Sequence, residues 1–135
     1  MIQALGQAVI QQFNRTATIK SLLNGGLFFQ QAPQDQTAPY GVFYFSGSSP
    51  DEYMGGVNDR IHNADIQFNL YSTSDDGGVE IAELMEEFIQ DFDWQTLPMY
   101  GWNVIKCAHS NTGPLMYDNG VWQITLMYEI WFEKE

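Results

Sequence analysis

The chain has 135 residues, 44% of them apolar and 15% aromatic, which is too short for two well-packed cores and too apolar for a disordered chain. Five basic residues (Arg15, Lys20, Arg60, Lys106 and Lys134) face 17 acidic ones, a net charge of −12, and they are scattered singly. Phosphate-rich partners are recognised mainly through clustered Lys and Arg, so this balance excludes nucleic-acid recognition and attraction to anionic membranes. The expectation is one domain spanning 1–135.

Ile2, Leu5, Val9, Ile10 and Phe13 form a helical stripe, and a helix is predicted from Ile2 to Phe13. Asn14-Arg15-Thr16 interrupts it, Thr16 or Thr18 is placed to cap a short second helix with Ile19, Leu22 and Leu23, and Gly25-Gly26 ends that helix. Residues 1–24 therefore read as a helical arm. Met1 to Phe13 has no basic start and no continuous apolar run, so neither a secretory leader nor export is expected. No stretch approaches the roughly 20 apolar residues that span a bilayer.

Leu27-Phe28-Phe29 is a short strand candidate, followed by a polar connection, and Tyr40 to Phe45 is a second strand. Gly47, Pro50, Gly55 and Gly56 mark Ser46 to Asn58 as a long loop. Tyr53, Met54 and Val57 give that loop apolar anchors, which makes them candidate interface residues. From Ala64 to Tyr71 apolar and polar residues alternate as in a half-buried strand. From Val79 to Phe92 the period becomes helical: Ile81, Leu84, Met85, Phe88, Ile89 and Phe92 oppose Glu80, Glu83, Glu86, Glu87 and Asp91. The second set is a candidate acidic surface, either solvated or facing a basic partner.

A strand is expected near Trp102 to His109, then a loop through Asn111, Gly113, Pro114, Asn119 and Gly120, then a closing strand from Val121 to Phe132. Trp122, Ile124, Leu126, Tyr128, Ile130 and Phe132 share its core face. Val121, Met127 and Trp131 lie on the other face, either covered by the same domain or an interface, and Met127 and Trp131 join the candidate interface set. The order of helical arm, strands, helix and strands predicts an α+β fold, an antiparallel sheet with helices packed on one face across 27–135.

No chemical signature accompanies these elements. The lone Cys107 excludes an internal disulfide framework and fits a reducing compartment. Cys107 and His109, two apart on a strand, project about 7 Å apart from one face, too far for a thiol–imidazole hydrogen bond. His62 and His109 have no metal-ligand spacing, and Asp75-Asp76-Gly77-Gly78 lacks the remainder of a calcium loop. That tetrapeptide reads as carboxylates at a helix N-terminus, where the helix dipole favours them. Gly55-Gly56 lacks phosphate-loop spacing. No catalytic residue, cofactor or metal is expected.

The chain resembles the tail-terminator and head–tail joining, or tail-completion, proteins of long-tailed bacteriophages and prophages. The resemblance rests on the helical arm, on Ala38-Pro39-Tyr40-Gly41-Val42 leading into a strand, and on Arg60-Ile61 before Ile66-Gln67-Phe68-Asn69-Leu70-Tyr71. The helix Ile81-Ala82-Glu83-Leu84-Met85-Glu86-Glu87-Phe88 and the long closing strand complete it. It implies a structural, non-enzymatic protein of the virion tail or neck, assembled in the host cytoplasm. It further implies a hexameric ring that caps the tail tube and contacts tail-tube and head-connector proteins, with DNA passing through its lumen. The aromatic closing strand and the strong acidity depart from the usual family pattern. A monomeric ligand-binding or adaptor α+β domain is the alternative.

Overall fold

A computed structural model describes residues 2–32, 37–50 and 61–134. Two helices open the chain, α1 (Ile2–Arg15) and α2 (Ala17–Leu22), followed by strands β1 (Leu27–Phe29), β2 (Tyr40–Pro50) and β3 (Ile61–Ser72). Helix α3 (Val79–Asp91) precedes β4 (Trp102–Thr112), β5 (Met116–Asp118) and β6 (Val121–Lys134). The strands form one sheet in the order β1-β2-β3-β6-β4, with β5 beside β6. All pairs are antiparallel except β1 with β2, which is parallel, so the α+β class stands with a mixed sheet.

The core lies between the sheet and the helices. Phe43, Ile66, Phe68, Leu70, Leu126, Ile130 and Phe132 are fully buried on the sheet side, and Leu5, Val9, Ile81 and Phe88 on the helix side. Ile89 was expected in this stripe and is instead 38% exposed. At 100° per residue it sits roughly 80° around α3 from Ile81, at the edge of the apolar stripe. Met85 is half-buried.

The arm is held by polar as well as apolar contacts. Buried Gln12 donates from Nε2 to the Asp93 carbonyl at 2.7 Å and to Thr96 Oγ1 at 3.0 Å, and its Oε1 accepts from Arg15 at 2.6 Å. A buried amide needs such partners, because an unpaired one costs about 1–3 kcal/mol. Arg15 also reaches the Thr96 carbonyl at 3.1 Å, and α1 runs through Arg15 rather than breaking at Asn14. Thr16 occupies the N-cap position of α2, yet its hydroxyl donates back to the Gln12 carbonyl at 2.8 Å and makes no forward cap.

Three strand boundaries correct the sequence reading. Residues 46–50, expected to begin the long loop, continue β2: after an irregularity between Phe45 and Gly47, the register carries Gly47 opposite Asp65 and Pro50 opposite His62. The parallel neighbour β1 reaches only Phe43, so this part of β2 is an edge, where Gly and Pro are tolerated. The rest of that expected loop, including Tyr53, Met54 and Val57, lies outside the described residues. The second boundary is in the expected loop before β6, which contains β5, and the third is β4, which runs three residues past His109 to Thr112.

Helix α3 begins on the Asp75–Gly78 turn, as the charge pattern predicts. Asp76 accepts from the backbone amides of Gly78, Val79 and Glu80 at 3.2, 3.1 and 3.0 Å, and Gly78 supplies a left-handed φ of 91°. Asp76→Ala is therefore expected to cost about 1–2 kcal/mol in a denaturant titration, as loss of a cap does. An unchanged midpoint would contradict this capping.

Candidate interface surfaces

The acidic set divides in two. Glu80 accepts from the Ser72 hydroxyl at 2.7 Å and Asp91 from the Thr18 hydroxyl at 2.8 Å, so these two tie α3 to β3 and to α2. Glu83, Glu86 and Glu87 line an open groove of about 610 Å³ between α2 and α3, with Thr18, Leu22 and Gln90. Glu87 and Asp91 share a hydrogen bond, which raises the Glu87 pKa and lowers that of Asp91, the latter helped by Thr18.

The sheet face away from the helices is a second surface. Along β6 buried residues alternate with half-buried ones, and Gln123, Thr125, Met127, Glu129 and Trp131 are the half-buried set. Among the described residues no helix packs on this side, and Met127 and Trp131 are half-buried on it. Met127 stands between Gln67 of β3 and Asn111 of β4. Trp131 donates to Glu129 at 2.7 Å, and the Lys106 ammonium stands 5.8 Å from the centre of its ring. The face is otherwise knitted by polar side chains, with Asn69 Oδ1 accepting from Thr125 at 2.9 Å and from Gln67 at 3.2 Å. At its β2 end Tyr40 and Tyr71 stack at 4.9 Å, and partial burial raises the Tyr71 pKa.

A third surface escaped the sequence reading. β5 and β6 form a hairpin closed by Asn119 and Gly120, with φ of 51° and 80°. Leu115, Met116 and Tyr117 are 45, 50 and 58% exposed on it, and Tyr117 lies against Trp122 with ring centres 4.5 Å apart. Asn-Gly between alternating apolar residues is itself a hairpin signal. The sequence reading took these residues for a loop and gave Trp122 to the core, where it is only half-buried.

Cys107 and His109 share the helix-facing side of β4, as expected, but they do not form a reactive pair. Burial pushes the Cys107 thiol up to about 12, so it is protonated at neutral pH. His109 Nε2 is hydrogen-bonded to the Thr112 hydroxyl at 2.8 Å. His62 packs its ring against Trp102 and Phe132 at 5.0 and 6.1 Å. Among the described residues no three His, Cys, Asp or Glu side chains converge as metal ligands, and no helix is long and apolar enough to cross a membrane.

The family described as tail completion protein gp17 matches residues 7–133. A chain from the virion of a native gene transfer agent particle superposes with a TM-score of 0.70 at 14% identity, covering 96% of this chain and 94% of the other. The gp17 protein of bacteriophage SPP1 gives a TM-score of 0.56 at 14% identity, covering 92% and 88%. Among curated protein sequences none matches.

Proposed function

The chain belongs to the tail completion protein gp17 family, and from that premise we propose that it is a structural, non-enzymatic subunit of a phage tail. Copies of it form a ring, with six subunits, that caps the tail tube and joins it to the head. The virion particle and the phage protein whose folds it shares support this reading.

The observation that carries it is the presence of two unlike surfaces on one subunit. The helix layer presents the carboxylate-lined α2/α3 groove, whereas the opposite sheet face presents half-buried Met127 and Trp131. A head-to-tail ring needs such a pair, because each contact joins different surfaces of neighbouring copies. The charge of −12 suits a lumen through which DNA slides, since a negative wall repels phosphates instead of holding them. The Tyr53, Met54 and Val57 segment is assigned to contacts with a neighbouring subunit or the tail tube. The protein then resides in the tail or neck of the virion and, before assembly, in the host cytoplasm.

Native mass spectrometry of the purified chain, alone and with its tail-tube protein, tests the ring. A species near six times 15.4 kDa is expected in at least one condition. A monomer in both overturns the ring in favour of an adaptor.

A further inference from the structure

Ring formation by this chain faces an electrostatic obstacle: each copy carries −12, so two copies repel wherever charged surface meets charged surface. A contact between copies is therefore cheapest on apolar surface poor in charge. The sequence has two long stretches of that kind, residues 21–50, where Asp35 is the single charged side chain, and residues 107–128, and among the described residues only the second bears exposed large apolar side chains. Between Lys106 and Glu129, the 22 residues 107–128 contain a single charged side chain, Asp118. The fold gathers this block into one corner of the sheet, made of the second half of β4, all of β5 and the first half of β6.

The same corner concentrates exposed apolar side chains. Leu115, Met116 and Tyr117 lie on the hairpin, and 55%-exposed Val79 lies beside it. Its neighbour Gly78 sits so close that a β-carbon there would stand 3.5 Å from Leu115 and 3.4 Å from Trp122. The hairpin is also ordered before any partner arrives: Asn119-Gly120 closes it, Tyr117 packs on Trp122, and the Gly113 amide donates to the Thr125 carbonyl at 2.7 Å. A preformed apolar projection loses little entropy on docking.

We propose that this corner, centred on Leu115 and Tyr117, is a subunit–subunit contact that docks against a second copy of the chain. The assignment rests on the ring reading and adds a third, apolar contact to the two surfaces named there. It makes the association apolar, so salt, which screens the repulsion between acidic copies, strengthens it; an ion-paired contact behaves in the opposite way.

The test is a double variant, Leu115→Ser with Tyr117→Ser, compared with wild type by native mass spectrometry and thermal melting. Ile89→Ser, an exposed change on α3, serves as control. The expected result is an assembled wild type and control, and a double variant that melts at the same temperature but runs at 15.4 kDa. Hydrogen exchange of the wild type at dilute and assembling concentrations provides a reading that needs no variant, with new protection expected at 114–123. Assembly that persists in the folded double variant, 114–123 amides unchanged on assembly, or association that weakens with salt overturns the contact while leaving the ring intact. A wild type that stays monomeric with rising concentration and salt, or that assembles only around another protein, overturns the self-contact, and the monomer retained with that protein present overturns the ring as well.

Discussion

Phe68→Ala is expected to lower stability by about 3–5 kcal/mol, the range for removing a buried aromatic ring. Phe68 is fully buried in β3, and its ring lies within 4.7–6.4 Å of the rings of Phe43, Phe88, Phe92, Trp94 and Tyr128. Those five come from β2, α3, the segment after α3 and β6, so one side chain joins every layer of the core. Neighbours anchored in a sheet and a helix cannot all collapse into the space vacated, which places the loss at the upper end for its class. Domains of this size are held by only about 5–15 kcal/mol. The melting temperature of the variant should fall by roughly 10–20 °C. A loss under about 1 kcal/mol would mean that these rings are not packed as described.

How much of this was legible beforehand depends on whether a residue's environment is local. The stripe of α3 and the alternation of β3 and β6 are set by periodicity within one element, so Ile81, Leu84, Phe88, Ile66, Phe68 and Leu126 were assigned correctly as core. Ile89 failed because an apolar side chain at the edge of a stripe is buried only if a neighbour reaches it, and that is decided by how the helix lies on the sheet. The extension of β2 through Gly47 and Pro50 failed for a related reason: turn-forming residues signal a loop unless a partner strand holds them, and β3 does so from 12 to 18 residues away in sequence, beyond the reach of any pattern within one element. The parallel pairing of β1 was invisible, since three residues carry no directional pattern. Among the surfaces, the acidic residues were recognised, but not that Ser72 and Thr18 occupy two of them. Met127 and Trp131 were recognised only as two-valued, because nothing in a strand's own sequence says whether its second face will be covered.

Stability should fall as pH rises from about 9 to about 12, and Cys107 and Tyr128 are the groups responsible. Burial raises the thiol from its ordinary value of 9.0 to about 12. It also raises the Tyr128 phenol well above 10.0, with the nearby Cys107 adding to the shift. In both cases the neutral form is the protonated one, so the folded chain keeps protons that the unfolded chain releases. Below pH 9 both states hold them and the contribution is fully present; above it the folded state binds more protons than the unfolded state, and each further unit of pH favours unfolding. Three units correspond to at most about 4 kcal/mol for the thiol, and solvent reaching the half-buried side chain reduces this. The phenol acts in the same direction from pH 10 upwards, and its oxygen is buried without a hydrogen-bond partner among the described residues, so no neighbour stabilises the phenolate. Denaturant titrations at intervals between pH 8 and 12 should show a midpoint that is flat at first and then declines. Cys107→Ser should shallow the first part of that decline and Tyr128→Phe the later part. A midpoint independent of pH up to 12, or a decline identical in Cys107→Ser, would show that the thiol is as accessible in the folded chain as in the unfolded one.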